Sequence, residues 1–226
     1  SPEIQRGVVI VVHGLAEHLG RYEVLTKILA KNQFVVFRFD HRGHGKSEGR
    51  WAYYQNFNEI VEDVNFVYEM AHKECAALPI FILGHSMGGF ATACFGTKYP
   101  QKAAGIILSG ALTRDKYSRL QDIPAELPST QYIPNDLENL VCTDKAVVKA
   151  YSEDPLVLKE ISIGLCRALS TGVQWLKEHK QQFVAPVLLL HGCDDRLVSE
   201  QDSREFFGDI ASTDKELKIY AKLYHE

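Results

Sequence analysis

The strongest chemical signal in the chain is the run Gly84-His85-Ser86-Met87-Gly88-Gly89. Gly-x-Ser-x-Gly, with the apolar run 80–83 before it and a helical pattern over 87–99 after it, describes a nucleophile elbow. The turn is so tight that the positions flanking the serine must lack side chains, which accounts for Gly84 and Gly88. Ser86 is expected above the C-terminal edge of a sheet, at the positive end of the following helix dipole, where open parallel sheets bind ligands. Chance supplies the bare pattern in only about 7% of chains this long, and the strand-then-helix context lowers that several-fold. The chemistry indicated is attack of a serine hydroxyl on an acyl carbonyl.

Such a hydroxyl needs a base, and the base needs an acid to fix its tautomer. Beyond the apolar run 187–190 comes His191-Gly192-Cys193-Asp194-Asp195-Arg196. Both Asp194 and Asp195 lie where an acid is wanted, and position alone leaves the two open. Beyond the run 217–220 comes Leu223-Tyr224-His225-Glu226. His225 is the only histidine after either acid, so the chain order Ser, acid, His selects it as the base. Two backbone N–H groups must also face the developing oxyanion. Met87, directly after the nucleophile, supplies one; Leu15, in the turn His13-Gly14-Leu15 after the run 8–12, is the candidate for the other. The spacing of His13, His18, His41 and His44 matches no zinc pattern. The chemistry requires neither metal nor cofactor.

The elements that must position these groups alternate. Strand-like runs at 8–12, 34–39, 80–83, 104–108, 187–190 and 217–220 are separated by helical patterns at 22–31, 60–71, 87–99, 161–180 and 200–210. Short β-branched runs between amphipathic segments indicate βαβ units, hence an α/β fold with a mostly parallel, doubly wound sheet. In the helix over 22–31, Leu25, Ile28 and Leu29 share the face expected to turn inward. The rhythm breaks over 112–160, where four prolines fall and no strand-like run occurs. A stretch this long is no plain loop in a compact domain. It is expected to be a cap with short helices, such as one over 145–151, inserted into a core of residues 1–111 and 161–226.

The chain has 226 residues, 46% hydrophobic and 24% charged, with a formal net charge of −4. Without a basic excess there is nothing to neutralise phosphates, so nucleic-acid binding is not expected. No apolar run approaches the roughly 20 residues that span a bilayer. Five cysteines, an odd number without CxxC spacing, indicate reduced thiols and a cytoplasmic protein. The chain opens at Ser1-Pro2 without a signal-peptide pattern and ends one residue past the base. A further helix packing on the sheet is expected beyond Glu226.

The motifs sit in longer strings. The segments 13–22 (HGLAEHLGRY) and 40–49 (DHRGHGKSEG), the elbow, 151–156 (YSEDPL) and 189–197 run in order through nearly the whole chain. In them the sequence resembles the monoacylglycerol lipase / lysophospholipase family. The resemblance implies an α/β-hydrolase fold with a helical cap, matching the interruption from Leu112 onward. It also implies that the acid is the Asp directly before Arg196, which is Asp195, and that Glu17, Arg21 and Tyr151 line the pocket for the alcohol part of an ester. The activity implied is hydrolysis of monoacylglycerols or lysophospholipid-like monoesters through an acyl-enzyme. The partner is then a small-molecule ester or monoacyl lipid, with peripheral membrane contact at most. A carboxylesterase for short-chain or aromatic (feruloyl-type) acyl esters is the rival reading. In that family reading the loop 40–49 is a structural turn beside the site.

Overall fold

Val8, Ile10 and Val12 are fully buried in β1 (Gly7–Val12), a strand apolar on both faces because it lies inside the sheet. The structure is a computed structural model that describes residues 5–120 and 123–226. Its main sheet has six strands in the order β2-β1-β3-β4-β7-β8, all paired in parallel. The strands are β1, β2 (Phe34–Phe39), β3 (Ile80–His85), β4 (Gly105–Ser109), β7 (Val187–Gly192) and β8 (Lys215–Tyr220). Each falls where a β-branched or aromatic run was read.

Helices connect them. They are α1 (Glu23–Lys31), α2 (Phe57–Glu74), α3 (Met87–Lys98) and α6 (Glu200–Asp209). α2 buries Phe57, Ile60, Val61, Val64, Tyr68 and Ala71, the stripe that a period of 3.6 places on one face. α3 is different: every residue from Met87 to Thr97 is buried. It lies between the sheet and its neighbours, and so is apolar all round. α1 packs on β2, an edge strand, and buries nothing fully. The expected inward face of this helix is corrected accordingly: Leu25 and Leu29 are half-buried, but Ile28 is 54% exposed. An edge strand offers too little surface to cover all three.

β4 and β7 are neighbours in the sheet, yet residues 110–186 lie between them in sequence. This excursion contains α4 (Lys145–Glu153), α5 (Ile163–Glu178) and a two-stranded antiparallel pair, β5 (Tyr132–Pro134) with β6 (Glu160–Ser162). The strand pair was not expected. Three residues each, one of them Pro134, are too few to show alternation. α5 returns the chain to the core, and Gly172 lets it approach α3 and α2: a Cβ there would overlap the Phe90 ring and lie 2.8 Å from Phe57 Cβ. A smaller cluster of Val141, Tyr151, Val157, Leu197 and Val198 joins the excursion to the turn after β7. Gly172→Ala is expected to lower stability by about 1–3 kcal/mol through overpacking, read as a fall in the urea midpoint. An unchanged midpoint would contradict the close packing of α5 on α3.

Candidate active site

Ser86 is the first residue after β3 and directly precedes α3, with φ +54° and ψ −118°. A non-glycine residue adopts this conformation only where its surroundings hold it there. Those surroundings are close: a Cβ on Gly84 would meet the carbonyl oxygen of Gly88 and Thr92 Oγ1, and one on Gly88 would meet the carbonyl oxygens of Val12 and His13. The two glycines therefore let the start of α3 pass directly against the exit of β1. Ser86 N–H donates to the Ser109 carbonyl at 2.9 Å, locking the turn to β4 as well.

Met87, the first residue of α3, has an N–H outside the intrahelical ladder. Leu15 follows Gly14, whose N–H donates to Glu17 Oε1 at 2.5 Å. Neither the Leu15 nor the Met87 N–H has an acceptor among the described residues, and both residues line one cavity with Gly14 and Ser86. A Cβ at Gly14 would stand 3.2 Å from Ser86 Cβ, so the β1 turn approaches the serine closely.

The candidate acid and base come from the exits of β7 and β8. Asp195 is 2% exposed, whereas Asp194 is exposed beside the Cys193 thiol. His225 Nδ1 donates to Asp195 Oδ2 at 2.7 Å. The other oxygen, Oδ1, accepts the N–H groups of Leu197 and Val198 at 2.8 and 3.0 Å. Burial opposes the ionisation of Asp195, but bonds from His191, His225 and Val198 outweigh it and hold the carboxyl far below the usual carboxylate range. A carboxylate on Nδ1 leaves His225 Nε2 as the acceptor nitrogen. His225 lines the same cavity as Ser86. Among the described residues no hydrogen bond joins their side chains; such bonds commonly tighten only when substrate docks.

Three further contacts set the histidine. Its ring lies 4.6 Å from that of His85. A Cβ on Gly110 would come within 3.1 Å of its Nδ1. A Cβ on Gly192 would collide with the carbonyl oxygens of Leu223 and Tyr224, so this glycine lets the two strand exits cross.

A family model described as serine aminopeptidase, S33 matches residues 3–226. The monoacylglycerol lipase of Mycolicibacterium smegmatis is 36% identical over 98% of this chain and 81% of its own. The human monoglyceride lipase is 32% identical, over 97% and 75% respectively. The chain belongs to the monoacylglycerol lipase family of α/β-hydrolases. A solved structure of the Saccharomyces cerevisiae monoglyceride lipase, a soluble variant with a substrate analogue, superposes with a TM-score of 0.89 at 25% identity, covering 100% of this chain and 80% of that one.

In this member of the monoacylglycerol lipase family, Glu17 is buried and fully engaged. Its Oε1 accepts from Gly14 N–H and from Tyr22 Oη at 2.7 Å, and its Oε2 accepts from Arg21 Nε at 3.0 Å. Tyr151 is 4% exposed and accepts from Asn135 Nδ2 at 3.0 Å; burial pushes its phenol up to about 12. Glu17 and Tyr151 line the cavity with Ser86, while Arg21 stacks on the Tyr151 ring at 5.0 Å and faces an adjoining groove instead. His18 takes no part in the cavity. Its ring accepts from Gly20 N–H and meets Asp154 Oδ2 at 2.8 Å, tying the end of α4 to the turn after β1.

Two groups escaped the sequence reading. His191 Nε2 donates to both Asp195 Oδ2 (3.1 Å) and the Val198 carbonyl (3.0 Å), with Ser203 on its Nδ1. Its place four residues before the acid was the available signal. Tyr54 donates to His41 Nδ1 at 3.2 Å, and His41 holds the turn after β1 by donating its N–H to His13 Nε2 and its ring Nε2–H to the His13 carbonyl. Nothing in the spacing of Tyr54 marks it.

Burial, reinforced by neighbouring histidines, drives His13 well below 6.5 and His41 to about 3. Burial likewise takes His44 to about 4, and burial with the neighbouring His225 takes His85 to about 3. All four are neutral in the folded chain, whereas in the unfolded chain they protonate near 6.5. Below that pH the unfolded state takes up protons that the folded state refuses. Stability is therefore lost from about pH 6.5 downward, at up to about 1.4 kcal/mol per pH unit for each. The urea midpoint should fall steeply between pH 7.5 and 5.5; a flat profile would show that these rings are not held neutral.

Proposed function

We propose that this chain is a serine ester hydrolase that releases fatty acid from monoacylglycerols or lysophospholipid-like monoesters. The observation that carries the reading is the Asp195–His225 hydrogen bond at a cavity shared with Ser86 and two uncommitted N–H groups. Ser86 Oγ attacks the ester carbonyl as His225 Nε2 takes its proton, and Asp195 stabilises the resulting imidazolium. Leu15 and Met87 N–H groups hold the oxyanion. His225 then protonates the leaving alcohol, and a water activated the same way frees the acid.

In this reading the cap is residues 112–160, within the excursion between β4 and β7. The cavity, about 300 Å³, is lined on this side by apolar side chains, among them Leu120, Ile133, Leu137 and Val141, with Leu169 of the core beside them. An acyl chain fits such a lining, and the hydroxyls of the alcohol fit the end near Glu17 and Tyr151. Among the described residues no helix is long and apolar enough to cross a membrane. A cytoplasmic enzyme that meets membranes or micelles peripherally is consistent with this.

Ser86→Ala is expected to abolish labelling by a fluorophosphonate and to lower kcat about 10⁴-fold or more. Asp195→Asn is expected to cost about 10³–10⁴-fold, while Asp194→Asn stays within twofold of wild type. Loss of activity in the Asp194 variant with retention in the Asp195 variant would overturn the assignment. Against glycerol monoesters and cinnamoyl-type esters of graded length, kcat/KM should peak at medium to long acyl chains. A sharp maximum at short or aromatic acyl groups would favour the carboxylesterase reading instead.

A further inference from the structure

Glu226, the residue after the proposed base, takes no part in the mechanism above. Its carboxylate accepts from Arg21 Nη2 at 2.6 Å, and its backbone N–H donates to the Val141 carbonyl in the excursion, so the side chain is held beside His225. It lines the cavity together with Ser86, Glu17 and Tyr151. Arg21 is the residue at this end that could have served an anion, and it is already spent: Nε is bonded to Glu17, Nη2 to Glu226, and its plane covers Tyr151. Burial works against its charge, but the two carboxylates outweigh burial and hold its pKa above the ordinary value. Two carboxylates around one guanidinium leave the group at a formal −1.

The rest of the lining adds no compensating charge here. Asp115 and Asp136 are further acidic liners, and Arg119 is the one basic liner among the described residues. The Arg119 guanidinium donates to the Arg196 carbonyl and lies over Tyr117; these three residues line a separate surface hollow.

We infer that Glu226 is a specificity-determining residue: with Glu17 and Arg21 it forms a net-negative alcohol site that admits neutral leaving groups such as glycerol and rejects phosphate-bearing ones. The inference rests on the ester-hydrolase reading and narrows it, separating monoacylglycerols from anionic lysophospholipid-like monoesters. A phosphate on the leaving alcohol would meet the Glu226 carboxylate, whose neighbouring cation, Arg21, is already shared between two carboxylates. Neutral hydroxyls, by contrast, can donate to Glu226.

The test uses three soluble esters with one acyl group: 1-octanoylglycerol, 1-octanoylglycerol 3-phosphate and 1-octanoylglycero-3-phosphocholine. Wild type should favour the glycerol ester over the phosphate by at least about tenfold in kcat/KM. Glu226→Gln keeps the shape and the Arg21 contact but removes the charge, and it should narrow that ratio by about tenfold. The ratio against the bulkier, net-neutral phosphocholine ester should change far less, which separates charge from size. Glu216→Gln, an exposed carboxylate on β8 outside the cavity lining, should leave the ratio within twofold; fluorophosphonate labelling of Ser86 confirms that each variant is folded. Equal use of glycerol and phosphate esters by wild type, or an unchanged ratio in Glu226→Gln, would overturn the inference while leaving the hydrolase reading intact. Failure to hydrolyse any of the three would overturn both.

Discussion

Everything in this site depends on one backbone turn that only close packing can hold. Ser86 sits at positive φ, and the turn survives because the start of α3 presses against the exit of β1 with no Cβ between them. That contact does two things at once. It lifts the hydroxyl clear of the sheet, and it brings the Leu15 and Met87 N–H groups to the same cavity. One contact therefore sets the positions of both the proposed nucleophile and the proposed oxyanion donors. The hydrogen bonds of Glu17 and His41 to the turn after β1 act on the same contact from outside.

The electrostatics around the site set an ionised buried carboxylate, Asp195, among histidines kept neutral. Asp195 stays charged because four donors meet its two oxygens. His13, His41, His44 and His85 stay uncharged because they are buried with only neutral hydrogen-bond partners or with one another. A cation on His85 would oppose the imidazolium that the proposed mechanism forms on His225, 4.6 Å away.

Besides the packing of α5, the excursion is fastened to the core by hydrogen bonds beside the site. His18 meets Asp154, the Leu158 N–H donates to the Ala16 carbonyl, and Ser162 Oγ donates to the Ala52 carbonyl. The Ala16 bond lies one residue past a proposed oxyanion donor. The same strings 13–22 and 151–156 that carry the family resemblance supply most of these fastenings, so part of their pattern serves attachment as well as chemistry.

Strands, helices and their order were legible because burial periodicity and glycine or proline punctuation are written locally. β1, β3, β4 and β7 came within a residue or two of their ends, and α3 nearly entire. The elbow was legible for the same reason, since Gly84, Ser86 and Gly88 act on one another within a single turn. What the chain order left open, contact decided. Asp194 and Asp195 are adjacent and chemically alike; position leaves the two open, the family resemblance points to Asp195, and the burial of Asp195 against His225 agrees. The roles of His191, Tyr54 and Glu226 arise from partners on other elements, and β5 with β6 exists only because two short segments meet. A linear pattern records what a residue can do with its near neighbours; which distant groups it finally touches is set by the packing of the whole chain.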